Sequence, residues 1–205
     1  MQEQANPPVP YRQIRALFTG DTFTVYQAYR PAIAERALAA GTFVPPFSRG
    51  RATWIKPSFL WMAYRGGWAG KHGQERVLAI EITRAGLQWA LEHACLSHCE
   101  PGTYADHAAW RHRMDITCVR IQWDPERGLH HEPLGHRSIQ IGLTGQAVNR
   151  YVDDWIVSIG DATALMIQIR DLAAASRLSE ARRLLPAEHP YPVDPQLASV
   201  IGMAS

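Results

Sequence analysis

The stretch TFTVYQAY at residues 22–29, followed by PAIAERALAAG at residues 31–41, decides the fold class. Its first part is rich in β-branched and aromatic residues, which favour a strand. Its second part begins with proline, is rich in alanine and ends with glycine, the order of signals that starts and stops a helix. The folded part of the chain therefore opens with a strand that leads directly into a helix.

The same two kinds of pattern continue towards the C-terminus. We predict further strands at residues 76–83, 116–123 and 137–143, and further helices at residues 57–65, 86–96, 145–159, 161–174 and 178–185. This mixture indicates an α+β fold, with a mostly antiparallel central sheet, flanking helices and a helical C-terminal third.

The chain has 205 residues, enough for one domain with a sizeable core. We predict a flexible lead-in at residues 1–10, a single α+β domain at residues 11–190 and an extended, proline-rich tail at residues 191–205. No apolar run is long enough to span a membrane, and the N-terminus lacks the apolar segment of a signal peptide. With three cysteines, an odd number, these features predict a cytoplasmic protein without a membrane partner.

The charge is distributed unevenly along the chain. Lys and Arg total 21 against 19 Asp and Glu, which excludes a disordered or polyanionic protein. Residues 11–84, however, carry 11 cationic and only 4 acidic side chains, with several tryptophans between them. GC-rich codon usage would explain the preference for arginine, but not Lys56 and Lys71, the only lysines. The basic region fits a phosphate-bearing ligand or nucleic acid.

The run from Arg49 to Arg65 concentrates cationic, hydroxyl and aromatic side chains around a predicted helix start. Free N–H groups at such a start attract anions, so this run predicts a phosphate or pyrophosphate site. The alternative is a capped core helix with solvated charges. Gln27 and Tyr29 share one strand face and reach a cleft if Tyr26 packs on a helix; otherwise they lie on an edge strand. The candidate binding residues are Arg15, Gln27, Tyr29, Arg51, Thr53, Trp54, Lys56, Ser58 and Arg137.

Two polar side chains within predicted strands are candidates for catalysis. Glu81 lies between Ile80 and Ile82, where a carboxylate needs water or a partner. Gln140 lies in the strand RSIQIGL, which begins with Arg137. A catalytic or ligand-orienting role is one interpretation, and a Glu81–arginine pair that braces the sheet is the other.

Standard catalytic and metal-binding signatures are absent from the sequence. It contains no GxxxxGK[ST], GxGxxG, GxSxG or HExxH motif, which argues against nucleotide kinases, Rossmann dehydrogenases, α/β-hydrolases and zincins. The cluster of His93, Cys95, His98 and Cys99 has a CxxxC spacing without a second ligand pair. Because zinc sites usually need two such pairs, we predict no metal.

Six motifs together resemble the domain-of-unknown-function family 4291. In chain order they are RQIRALF, VYQAY, TWIKPSFLWMAYRGGW, QERVLAIEITR, VRIQWDPER and RSIQIGL. The resemblance extends from about Tyr11 to Tyr191. The family label states no activity, so the resemblance alone implies none.

The order strand VYQAY, helix PAIAERALAAG and then TFV is also similar to the opening of ADP-ribosyltransferase-like folds. That similarity implies NAD as ligand, with Arg15, Arg51 and Lys56 on the pyrophosphate and Tyr29 or Trp54 stacked on a ring. It also implies that Glu81 or Gln140 acts at the nicotinamide ribose. The chain departs from the pattern because Tyr26-Gln27-Ala28 replaces the usual His-Gly and RSIQIGL contains no glutamate.

The leading hypothesis is thus an ADP-ribosyltransferase-like protein that binds NAD or a related nucleotide, with DNA or RNA as a potential acceptor. The first alternative is a nucleic-acid-binding or nucleic-acid-processing protein without NAD chemistry. A regulatory or interaction domain without chemistry is the second alternative. Thermal stabilisation by NAD distinguishes the first hypothesis from the other two.

Overall fold

The computed structural model describes residues 9–203, which form short and long strands with helices between them. The strands are β1 (Arg15–Ala16), β2 (Thr22–Tyr29), β3 (Thr53–Ile55), β4 (Arg76–Thr83), β5 (Ala94–Leu96), β6 (Val119–Arg127), β7 (Pro133–Leu143), β8 (Ile156–Asp161) and β9 (His189–Pro190). The helices are α1 (Pro31–Ala40), α2 (Phe59–Gly66), α3 (Arg84–Glu92), α4 (His107–Ile116), α5 (Gln146–Arg150), α6 (Thr163–Ala174), α7 (Leu178–Leu184) and α8 (Pro195–Val200). None of these helices has the length and apolar character needed to cross a bilayer.

The strands form one three-stranded sheet, one four-stranded sheet and a short two-stranded ribbon. The three-stranded sheet has the order β2-β4-β8, the four-stranded sheet the order β3-β7-β6-β5, and β1 pairs with β9. All pairs are antiparallel except β5 with β6. The predicted mixture of helices with mostly antiparallel strands is therefore confirmed.

Alternation along the strands builds two hydrophobic clusters. Phe23 and Val25 of β2 lie in the larger cluster, together with Leu78, Ile80 and Ile82 of β4 and Ile121, Ile139 and Ile141 of the four-stranded sheet. The opposite face of β2 and β4 carries Tyr26 and Val77, which belong to a second cluster with Phe59 and Met62 of α2 and Met166 and Ile169 of α6. Tyr26 thus packs on a helix, the condition under which Gln27 and Tyr29 face a cleft.

A backbone bridge joins β2 to the residue that follows β3. The amide of Tyr26 donates to the carbonyl oxygen of Lys56 at 2.6 Å, and the amide of Lys56 donates back to Tyr26 at 3.3 Å. The two larger sheets meet at this point. Side chains from two separate sequence motifs are brought together here.

The helix predicted at residues 145–159 is wrong over its second half. The helix α5 ends at Arg150, and Tyr151–Trp155 form a single π-helical turn. Residues 156–161 then form β8, which pairs with β4. The helical stripe in the sequence is real up to Trp155, but the open edge of β4 offers backbone partners that local periodicity does not reveal.

The extended tail predicted at residues 191–205 is also wrong for the part of it that the structure describes. Tyr191 is buried edge-on against Phe18 and Phe23, with ring centroids 5.1 and 5.0 Å away. The helix α8 follows, and the carbonyl oxygen of Ile201 accepts a hydrogen bond from the indole of Trp123 at 2.7 Å. Residues 204–205, like residues 1–8 of the predicted lead-in, lie outside the described range.

Candidate functional site

Two adjoining cavities, which we call the cleft, open beside the bridge between β2 and β3. The cavity around the exposed Arg30 and Arg51, which we call the outer cavity, has a volume of about 410 Å³. The cavity around the nearly buried Lys56, which we call the inner cavity, has a volume of about 280 Å³. Both are lined by Tyr29, Ala52, Thr53 and Gly73, so they form one continuous depression. The outer cavity adds Arg30, Phe47 and Arg51, and the inner cavity adds Gln27, Trp54, Lys56, Met62, Arg65 and Gln74.

Gln27 anchors the cleft wall through a fully used amide group. Its oxygen accepts from the hydroxyl of Tyr151 at 2.8 Å, and its nitrogen donates to the hydroxyl of Tyr29 at 3.0 Å and to the carbonyl oxygen of Trp54 at 3.2 Å. The side chain is only 3% exposed. Gln27 therefore fixes Tyr29 and β3 relative to each other, which is a positioning role.

Lys56 places a nearly buried amine in the inner cavity, with 7% of the residue exposed. Its Nζ donates to the carbonyl oxygen of Trp54 at 3.2 Å and lies 5.5 Å from the ring centroid of Trp61. Burial, together with the nearby charge of Arg65, lowers the pKa of Lys56 to about 7, while Asp124 acts in the opposite direction. Both protonation states are therefore populated at neutral pH.

The polar face of the four-stranded sheet supplies the residues behind Lys56. Ile55, the last residue of β3, pairs with Ile141, the neighbour of Gln140 on β7, so Gln140 lies near the end of β3 that leads into Lys56. The amide of Gln140 donates to the carboxylate of Asp124, which also accepts from Gln122 at 3.0 Å. Gln140 lines neither cavity and its amide nitrogen is bound to Asp124, so its role in catalysis stays a prediction.

The positive charge of the cleft is not neutralised by ion pairs. Within residues 9–203, the side chains of Arg30, Arg51 and Arg65 form no ion pair or hydrogen bond, although they line the cavities. By contrast, Arg49 forms two hydrogen bonds with Asp153, at 2.6 and 2.7 Å. Unpaired guanidinium groups in a concave site favour an anionic ligand, and phosphate in particular.

The phosphate site expected at the start of the helix now called α2 is occupied by the protein's own carboxylates. Ser58 caps the helix, since its hydroxyl oxygen accepts from the amide of Trp61 at 3.0 Å, and it donates to Glu126 at 2.9 Å. The amide of Phe59 donates to the carboxylate of Glu188 at 2.7 Å. Ser58 is therefore a structural cap and not a cleft residue, as the alternative interpretation of a capped core helix held.

Burial raises the pKa of both carboxyl groups at the start of α2, Glu126 and Glu188. It raises the pKa of Glu188 to about 8, and the neighbouring Glu126 acts in the same direction while Arg15 opposes it. Burial also raises the pKa of Glu126, against hydrogen bonds from Arg127, Ser58 and Ser138. At neutral pH Glu188 thus keeps its proton, which limits repulsion between the two carboxyl groups.

We expect the free energy of unfolding to fall as pH rises from about 5 to 7, and Glu188→Gln to reduce that fall by on the order of 2 kcal/mol. The folded carboxyl stays protonated up to about pH 8. In the unfolded chain it ionises near pH 4.3, so ionisation favours unfolding across this window. Glutamine stays neutral and keeps an oxygen for the amide of Phe59. Urea unfolding at each pH measures the effect, with the exposed Glu92→Gln as control; parallel curves for wild type and Glu188→Gln would contradict it.

Besides Ser58 and Gln140, three more of the predicted site residues line neither cavity. Glu81 accepts from Ser158 at 2.7 Å and, by strand alternation, points to the face of β4 opposite that of Gln27 on β2. Arg15 donates to the carbonyl oxygen of Glu188 at 3.1 Å. Arg137 donates to the hydroxyl of Tyr11 at 2.5 Å and to the carbonyl oxygen of Trp123 at 2.7 Å. All three side chains are bound to other groups of the protein outside the two cavities.

The His93–Cys99 segment does not assemble a cluster of ligands. His93 stacks on Trp89 with ring centroids 4.0 Å apart, and the thiol of buried Cys95 lies 3.4 Å from the hydroxyl of Tyr104. Over residues 9–203, no three His, Cys, Asp or Glu side chains are grouped so that they could hold a metal ion.

Sequence reasoning missed Arg30, Arg65 and Asp124. The signal for Asp124 was present, because Gln122 and Asp124 alternate with buried Ile121 and Trp123 in the run VRIQWDPER. An Asp-Pro pair favours a turn, whereas β6 continues to Arg127 with a register shift between Pro125 and Arg127. Arg65 ends the run that predicts a phosphate site, but nothing in the run distinguished it as a binding residue. Arg30 carried no local signal, and only the folded chain brings the two to one cleft.

The sequence was compared with family models and with curated proteins. The family model described as domain of unknown function (DUF4291) matches residues 13–191. No curated protein matches the chain significantly. The matched residues include β2, β3, α2 and the strands behind them, so the whole cleft lies within the matched segment. Because the family model covers most of the chain, the chain belongs to the DUF4291 family.

Proposed function

We propose that the cleft binds NAD or a closely related nucleotide in an ADP-ribosyltransferase-like arrangement. One observation carries the proposal: Arg30, Arg51 and Arg65 line two adjoining cavities without a partner among residues 9–203. A pyrophosphate offers the oxygen pairs that guanidinium groups bind best. Arginines keep their charge at any physiological pH, so phosphate binding does not depend on the protonation of Lys56.

The aromatic residues of the cleft support a ligand with two ring systems. Tyr29 lies in the outer cavity beside Phe47, with ring centroids 6.0 Å apart. Trp54 lines the inner cavity, and its ring lies over Gly142 so closely that a methyl group there would come within 2.8 Å of it. A dinucleotide has one ring at each end and a pyrophosphate between them, and the two cavities together offer an aromatic side chain for each ring and arginines for the pyrophosphate.

The residues behind Lys56 suit transfer of an ADP-ribosyl group. NAD supplies a nicotinamide–ribose bond whose cleavage builds positive charge on the ribose. The carboxylate of Asp124, which Gln140 and Gln122 hold in place, is close enough to Lys56 to act on the pKa of that residue. It would stabilise that charge from β6, in place of the glutamate that β7 lacks.

Thermal unfolding with and without ligand tests the proposal. NAD and ADP-ribose at millimolar concentration should each raise Tm by several degrees, since ligand at about 100 times Kd adds roughly 2.7 kcal/mol. Adenosine, which has the base but no phosphate, serves as the control and should have little effect. Absence of a shift with NAD, NADP and ADP-ribose alike would rule out a dinucleotide site in this cleft.

A nucleic-acid strand is the second candidate, because Arg30 and Arg51 are exposed at the mouth of the cleft beside Tyr29. The same sample can be used for a gel-shift assay with single-stranded DNA and RNA. Binding at low salt that weakens steeply as salt is added, without any stabilisation by NAD, would favour this candidate.

A further inference from the structure

Lys56 is the one cleft cation whose surroundings do not suit a charged group. An ammonium has three hydrogens to donate, but the only acceptor that Nζ binds among residues 9–203 is the carbonyl oxygen of Trp54 at 3.2 Å. No carboxylate of the described residues lies within 4 Å of it, so it has no ion pair. The ring of Trp61 and the side chain of Met62 border it instead.

The guanidinium of Arg65 adds a second influence against the ammonium form. It lies close enough to lower the proton affinity of Lys56, and burial acts in the same direction. A desolvated lysine beside another cation is the arrangement that activates an amine as a nucleophile. The amine also lines an open cavity, so a reacting carbon can reach it.

We propose that Lys56 is a nucleophile that forms an imine with the aldehyde carbon of a phosphorylated sugar, such as the open-chain ribose of ADP-ribose. The neutral amine adds to the carbonyl carbon, and the carbonyl oxygen takes up a proton to give a carbinolamine. Loss of the hydroxyl as water then leaves a carbon–nitrogen double bond, with no oxidant or reductant needed. The step rests on the proposed function in one respect, because the cleft arginines hold the phosphate.

Chemical trapping provides a direct test, because Lys56 and Lys71 are the only lysines. The protein is incubated at pH 7 with ADP-ribose and cyanoborohydride, and the reduced adduct is located by peptide mass mapping. We expect Lys56 to be modified about tenfold or more faster than the exposed Lys71, because burial and the neighbouring Arg65 favour the neutral, nucleophilic amine of Lys56. ADP, whose ribose carbon is bonded to adenine and cannot open, should form no adduct and should compete.

Matched variants separate a site-directed reaction from general glycation. Lys71→Arg should keep the adduct and Lys56→Arg should lose it, while Arg65→Ala, which leaves the amine in place, should slow its formation. Ribose 5-phosphate should react faster than ribose if the arginines position the phosphate. Equal labelling of both lysines, or an unchanged adduct in Lys56→Arg, would overturn the inference. Stabilisation by NAD together with the absence of any adduct from ADP-ribose would also overturn it and would leave nucleotide binding intact.

Discussion

Replacing Arg51 and Arg65 together with alanine is expected to weaken binding of NAD or ADP-ribose about 100-fold. A hydrogen bond to a charged group contributes about 1.5–3 kcal/mol, and the exposed position of both side chains places each near the lower end of that range. Arg51 lines the outer cavity and Arg65 the inner one, so each should contact a different part of the ligand. The two single variants should each lose about tenfold, because neither side chain has a partner within residues 9–203 to reorganise.

Arg49→Ala is the matched control for this experiment. It removes one positive charge from the loop that also carries Arg51, but Arg49 is bound to Asp153 and lines neither cavity. Isothermal titration should show less than a threefold change for it, since salt screens exposed charges over about 8–10 Å. If Arg49→Ala weakens binding as much as Arg51→Ala, the ligand responds to overall charge, and the cleft is not its site.

Gly86→Ala is expected to destabilise the fold by about 1–3 kcal/mol, although alanine is the better helix former by up to ~1 kcal/mol. A methyl group on Gly86 in α3 would lie 2.4 Å from Cγ of the buried Trp155. Trp155 cannot move freely, because it packs against Trp89 with ring centroids 5.6 Å apart. Chemical denaturation should therefore show a lower midpoint with an unchanged slope.

A second glycine supplies the comparison for that measurement. Gly20 has no heavy atom within 4 Å of the position of an added methyl group, so Gly20→Ala should stay within about 0.5 kcal/mol of wild type. The effect of Gly86→Ala should also reach the cleft. Trp155 packs on Tyr151 at 6.3 Å, and the hydroxyl of Tyr151 holds Gln27. Stability equal to wild type in Gly86→Ala would mean that the Trp155 ring shifts at little cost.

Much of the cleft was predictable because it is local in sequence. Gln27 and Tyr29 are two residues apart on one strand, and Thr53, Trp54 and Lys56 lie within four positions. The period of two for strands places Gln27 and Tyr29 on the same face of β2, and the packing of Tyr26 on a helix leaves that face for the cleft. Glu81 and Arg137, which line neither cavity, are single polar positions in strands. Only the pairing partners reveal which face of a sheet is open.

The sequence by itself determined the strand at residues 22–29, the helix after it, the strand at residues 76–83 and the family, because each depends on short-range pattern. Only the tertiary structure decided that residues 156–161 pair with β4, that Tyr191 and α8 join the core, and that Glu188 binds the start of α2. Phe59 and Glu188 are 129 residues apart, and no local propensity encodes such a contact. Burial of apolar surface and of polar groups with partners selects these arrangements, and both depend on the whole fold.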